Sequence, residues 1–133
     1  MAGKALGRHV ILELYGCPRQ LLENEKLLKQ LLAESSERAG ATLLKLASHH
    51  FQPQGVTVVG LLAESHISIH TWPERRYAAV DVFTCGQTTR PEKAAEYLTQ
   101  HLRPTASELK ILERGDRQLA HTAPARLCAS AGA

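Results

Sequence analysis

A chain of 133 residues, 44% hydrophobic, 22% charged and 5% aromatic, suits one globular domain and argues against a two-domain enzyme, a disordered chain or a disulfide scaffold. Sixteen Lys and Arg against thirteen Asp and Glu leave a formal charge of +3, and like charges run no longer than pairs such as Arg75-Arg76, so no nucleic-acid groove is indicated. No stretch nears the roughly 20 apolar residues that span a bilayer.

Chain order begins with the β-branched and apolar run His9 to Tyr15, ended by Gly16, which predicts a strand. The segment before it, Met1 to Arg8, lacks the small-residue cleavage site of a secretory signal. Pro18 suits the first turn of a helix, and Leu21, Leu22, Leu28, Leu31 and Leu32 recur at helical spacing up to a stop at Gly40. Ala41 to Phe51 reads as a second strand, Pro53 to Gly55 as a turn, and Val56 to Leu62 as a strand apolar enough to lie inside a sheet. After a break at Ala63-Glu64, His66 to His70 alternates strictly. Period two places His66, Ser68 and His70 on one face and Ile67 and Ile69 on the other. Tyr77 to Phe83 forms a further strand closed by Gly86, Pro91 opens a helix to about His101, and Glu108 to Arg114 is the last strand. The segment 116–133, rich in Ala with Thr, Ser and Pro, is expected to be a flexible tail.

The order β-α-β-β-β-β-α-β predicts an α+β fold: a two-layer sandwich, its mostly antiparallel sheet covered on one face by helices. The bare face calls for a partner, and two copies meeting sheet to sheet as an αββα dimer would supply one. Cys17, Cys85 and Cys128 are sparse, without CxxC, and read as reduced thiols of a cytoplasmic protein.

Chemistry-bearing residues concentrate between Glu64 and Gly86. As zinc ligands, His66 and His70 stand about 13 Å apart on a strand, far beyond ligand bonds of about 2 Å, so no metal is assigned. Ser65, His70 and Asp81 have hydrolase residue types, but the GxSxG elbow is absent. Residues Gly55 to Gly60 match neither phosphate-loop pattern. The bland alternative is that His66, Ser68 and His70 form only the solvated face of a strand. On residue type alone these alternatives stay open.

The strings ESHISIHTWPE (64–74) and YAAVDVFTCG (77–86) resemble the signature of the small prokaryotic S-adenosylmethionine decarboxylases, and the likeness runs from Gly7-Arg8-His9 to about residue 114. The resemblance implies a pyruvoyl enzyme made by self-cleavage between Glu64 and Ser65. The Ser65 hydroxyl would attack the preceding carbonyl, and the resulting ester would eliminate to dehydroalanine and hydrolyse to a pyruvoyl group, releasing ammonia. A β chain of 1–64 and an α chain of 65–133 follow, with 1–115 as the one decarboxylase domain. The covalent ketone would form a Schiff base with the substrate amine and act as the electron sink that pyridoxal phosphate provides elsewhere.

By the same resemblance, His70 assists processing by proton transfer, Cys85 returns a proton to the substrate carbon, and Thr57 stands where the family often has a processing serine. A thiol with an ordinary pKa near 8.5 can hold such a proton at neutral pH; the alternative for Cys85 is a small buried core residue. Phe51, Trp72 and Glu74 are the candidates for substrate binding, by stacking on adenine and accepting hydrogen bonds from ribose hydroxyls. Phe51 and Trp72 could instead be core. Arg75-Arg76 departs from the family, where an aromatic residue and a glycine are common. The function implied is conversion of S-adenosylmethionine to its decarboxylated form plus CO2, for spermidine synthesis, by a homodimer or dimer of dimers. Alternatives are the same chemistry on arginine or ornithine, and an unprocessed, non-enzymatic binding homologue.

Overall fold

The structure, a computed structural model, describes residues 5–115; the expected tail over 116–133 and Cys128 lie outside them. The elements are β1 (Gly7–Tyr15), α1 (Arg19–Leu22), α2 (Glu25–Arg38), β2 (Leu43–His50), β3 (Val56–Leu62), β4 (Ser65–Trp72), β5 (Tyr77–Cys85), α3 (Pro91–Leu102) and β6 (Ala106–Arg114), with a 3-10 turn at Pro73–Arg75. Six strands form one sheet in the order β2-β3-β4-β5-β1-β6. Every neighbouring pair runs antiparallel, so the mostly antiparallel sheet expected is antiparallel throughout.

Strand alternation sorts the side chains. Val10, Leu12 and Leu14 of β1, Val56 and Val58 of β3, Ile67 and Ile69 of β4, and Ala78, Val80 and Val82 of β5 are buried. They face α2, which crosses β2 and β3, and α3, which crosses β5 and β1. From the helices come Leu28, Leu31 and Leu32 of α2 and Ala94, Ala95, Leu98 and Leu102 of α3, all at most 3% exposed. At about 1.5–3 kcal/mol for each fully buried large aliphatic side chain, this layer is the main source of stability. The predicted cover of helices on one face is therefore observed.

The single helix expected from Pro18 to Gly40 is instead two. Asn24 breaks it and caps α2, its side chain accepting from the Leu27 N–H at 3.0 Å. The break releases Glu23, which accepts the Gly55 N–H at 2.9 Å and ties α1 to the β2–β3 turn. The open carbonyl of Leu22 at the end of α1 accepts the buried Thr71 hydroxyl at 2.8 Å. Gly40, at φ +75°, ends α2 as expected. Gly60 is structural, since a Cβ there would lie 2.8 Å from Ile67 Cγ2.

Arg76, at the position where the resemblance leads one to expect glycine, has a left-handed φ of +52°. That conformation costs an L-residue about 1–2 kcal/mol, partly offset by the greater chain entropy glycine loses on folding. Arg76→Gly is expected to stabilise the fold by about 0.5–1 kcal/mol, read as a higher urea midpoint.

Candidate active site

The face turned away from the helices carries the chemistry. Along β4, His66, Ser68 and His70 point to this face while Ile67 and Ile69 are fully buried. Antiparallel pairing sets Ser68 of β4 opposite Asp81 of β5. Asp81 then collects three donors: the Ser68 hydroxyl, His66 Nε2 at 3.0 Å and His9 Nε2 of β1 at 2.7 Å. Burial alone would raise the Asp81 carboxyl, but these hydrogen bonds outweigh it and hold it below the ordinary carboxylate value. An ionised carboxylate accepts only, so each imidazole presents an Nε2–H to it. Arg114 confirms this for His9, because its guanidinium donates to His9 Nδ1 at 2.9 Å.

The donor atoms of His9, His66 and Asp81 lie within 4.8 Å of one another, close enough to raise the question of a metal. With Arg114 on Nδ1 and the proton on Nε2, His9 offers no lone pair to an ion. The cluster is a hydrogen-bonded relay. His66 and His70, the pair weighed for zinc in the sequence, remain four residues apart on an extended strand.

At the start of β4 lies the Glu64-Ser65 bond. Antiparallel pairing places Ser65 opposite Thr84, and the Cys85 backbone N–H donates to the Glu64 carbonyl oxygen at 3.0 Å. The Glu64 carboxylate is anchored by the Thr42 N–H at 3.0 Å. Ser65 has a φ of +151°, a region in which non-glycine residues are strained by about 1–3 kcal/mol. Neighbours on a regular strand point to opposite faces, yet Ser65 Oγ reaches 3.4 Å from His66 Nδ1. The Ser65-His70-Asp81 grouping considered from residue type does not form, because Asp81 and the Ser65 hydroxyl both meet His66. Cys85 is exposed and carries a free thiol, unlike the core cysteine of the bland reading, whereas Cys17 is the buried one, its thiol pushed up to about 11 by burial.

The remaining candidates gather at the other end of β4. Thr57 Oγ1 and His70 Nδ1 are hydrogen-bonded at 3.0 Å. Trp72 is 40% exposed and Phe51 46%, so neither is core, and Glu74 is exposed in the 3-10 turn. Five residues of strand separate His70 from Ser65, about 16 Å. One chain therefore brings Ser65 to Cys85 and Thr57 to His70 but does not join the two groups. The sequence reading missed His9, Arg114 and the coupling of His66 to Asp81. Parity could place them on one face; only strand order puts them side by side.

Because its folded-state pKa is lowered, Asp81 contributes stability that is present above its ordinary value of 3.8 and lost as pH falls through the lower folded value. Asp81→Asn is expected to lower the urea midpoint near neutral pH and to narrow its gap from the wild type in acid. A gap unchanged between about pH 6 and pH 2 would remove Asp81 from the acid response.

The sequence profile of the S-adenosylmethionine decarboxylase family matches residues 8–115. The chain is 54% identical over 120 residues to the S-adenosylmethionine decarboxylase proenzyme of Synechococcus sp. (strain WH7803), covering 90% of this chain and 88% of that one. It is 55% identical over 109 residues to the proenzyme of the same name from Prochlorococcus marinus (strain MIT 9313), covering 82% and 87%. The crystal structure of the adenosylmethionine decarboxylase from Aquifex aeolicus superposes with a TM-score of 0.79 at 39% identity, covering 84% of this chain and 92% of that one. With the profile spanning nearly all described residues, and with the fold in common, the chain belongs to the S-adenosylmethionine decarboxylase family.

Proposed function

We propose that this protein is a self-processing decarboxylase that converts S-adenosylmethionine to decarboxylated S-adenosylmethionine and CO2, supplying the aminopropyl donor for spermidine synthesis. The observation that carries it is the geometry at Glu64-Ser65: a strained serine follows a carbonyl already held by the Cys85 N–H. That arrangement suits attack of Ser65 Oγ on the Glu64 carbonyl and conversion of the amide to an ester, the step from which a pyruvoyl group at position 65 would arise. Bound in the chain, the pyruvoyl group supplies an electron sink for decarboxylation. Cys85, whose backbone N–H reaches the Glu64 carbonyl, has an exposed thiol suited to hold the proton that replaces CO2.

Family membership favours this substrate over arginine or ornithine and over an unprocessed binding homologue. Phe51 and Trp72, with exposed aromatic faces, would stack on adenine, and Glu74 would accept from the ribose hydroxyls. His70, held by Thr57, would remove the α-proton of the ester at position 65, and the distance between them within one chain favours its supply by a second. We place a twofold copy against the open sheet face, so that His70 of the partner subunit approaches this chain's Ser65. Val59, Leu61 and Leu112 are 40–51% exposed there and would be covered. Two such pairs would make a dimer of dimers without changing the site. No described helix is long and apolar enough to cross a membrane, and we place the enzyme in the cytoplasm.

Four measurements test the reading. Wild-type protein is expected to give two fragments by intact mass, with a pyruvoyl group at position 65, while Ser65→Ala stays full length; a cleaved Ser65→Ala chain overturns the origin of the cofactor. Cys85→Ala should process yet lose about 100-fold or more in CO2 release, and unchanged turnover would remove Cys85 from that role. Release of CO2 from arginine but not from S-adenosylmethionine would reassign the substrate. Finally, His70→Ala chains are expected to cleave when co-expressed with Ser65→Ala chains but not alone, and failure of this complementation would place both halves of the site in one chain.

A further inference from the structure

The proposed self-cleavage needs a base for the Ser65 hydroxyl, and His70 stands too far along β4 to serve within the chain. We infer that His66 is the general base of the first step, the acyl shift from nitrogen to oxygen, and that Asp81 positions it. This rests on the self-processing reading above and assigns a residue to its opening event.

Three observations converge. His66 Nε2 is committed to Asp81 at 3.0 Å, and an acceptor-only carboxylate keeps the proton on that nitrogen. His66 Nδ1 is therefore a lone pair, and it faces Ser65 Oγ at 3.4 Å, the one hydroxyl that must lose its proton. On the other side of the same peptide bond, the Cys85 N–H donates to the Glu64 oxygen at 3.0 Å and supports the negative charge that develops there. Asp81 itself is held in place by Ser68 and His9, and His9 in turn by Arg114. The chain of contacts from Arg114 to Ser65 thus fixes both the ring's orientation and its tautomer, as a carboxylate behind the ring does for a catalytic histidine.

The step balances without an added reactant. Ser65 Oγ bonds to the Glu64 carbonyl carbon while its proton passes to His66 Nδ1. The tetrahedral anion, held by the Cys85 N–H, collapses with rupture of the Glu64 C–N bond. His66 then returns the proton to the Ser65 nitrogen, leaving an ester and a free amine.

Hydroxylamine separates this step from the later elimination, because it cuts an ester but not the original amide. Full-length precursor is purified, and cleavage is followed by gel and intact mass with and without hydroxylamine. His66→Ala is expected to process about 100-fold or more slowly, to remain resistant to hydroxylamine, and to recover when imidazole is added in increasing concentration. His66→Gln keeps an N–H for Asp81 but has no base, and carries the test where the alanine variant does not fold. Asp81→Asn should slow cleavage in the wild type and add nothing in the His66→Ala background, whereas a merely structural Asp81 would slow both. Wild-type-like cleavage of His66→Ala, or build-up of an ester that hydroxylamine cuts, overturns the assignment. A wild-type chain that never cleaves overturns the self-processing reading instead.

Discussion

The antiparallel register of β4 on β5 is the constraint on which the rest of the structure depends. Pairing Ser65 with Thr84 brings the Cys85 N–H to the Glu64 carbonyl, and pairing Ser68 with Asp81 brings His66 to its carboxylate. A slip of one residue would turn Ile67, Ile69, Val80 and Val82 out of the helix-covered layer and force Asp81 and His66 into it. Burial of those aliphatic side chains therefore holds the polar groups on the opposite face in place. Stability and chemistry are set by one alignment.

The two faces of the sheet divide the work. Beneath the helices the layer is aliphatic and closed, with few polar groups, and those few are satisfied: Thr71 bridges Leu22 and Val56, and Ser35 and Ser36 return to the Leu32 carbonyl. On the open face a carboxylate, two imidazoles, a hydroxyl and a guanidinium are linked into one relay, and exposed apolar side chains surround it. Such a surface gains from a second copy, whose arrival would exclude water and strengthen the hydrogen bonds already made. Because Ser65 and His70 lie at opposite ends of β4, assembly and catalysis become one requirement in the proposed enzyme.

Strain at Ser65 fits the same picture. A serine at φ +151° is held by its surroundings: Thr42 on the Glu64 carboxylate, Cys85 on the Glu64 carbonyl, and His66 at the hydroxyl. Part of the energy that would otherwise stabilise the precursor is thus stored beside the bond proposed to break. Arg76, also left-handed, is held in its turn by backbone bonds alone, its N–H on the Pro73 carbonyl and its carbonyl on the Cys17 N–H, each at 3.0 Å.

Much of this was legible in the amino-acid sequence. Alternation along residues 66–70 decided which side chains leave the core, leucine spacing decided where α2 packs, and Pro91 and Gly40 marked helix ends, because each depends on local geometry alone. The break at Asn24 went unread although a capping residue stood there, since the leucine period continues across it and only Glu23 reaching Gly55 shows why the chain turns. Tertiary structure alone decided the partners. Sequence parity assigns a face but not a neighbour, and it is the insertion of β1 between β5 and β6 that brings His9 to Asp81 and Arg114 to His9. The choice of His66 over His70 for that carboxylate likewise follows from register, which is set by packing over the whole sheet and by no short stretch of chain.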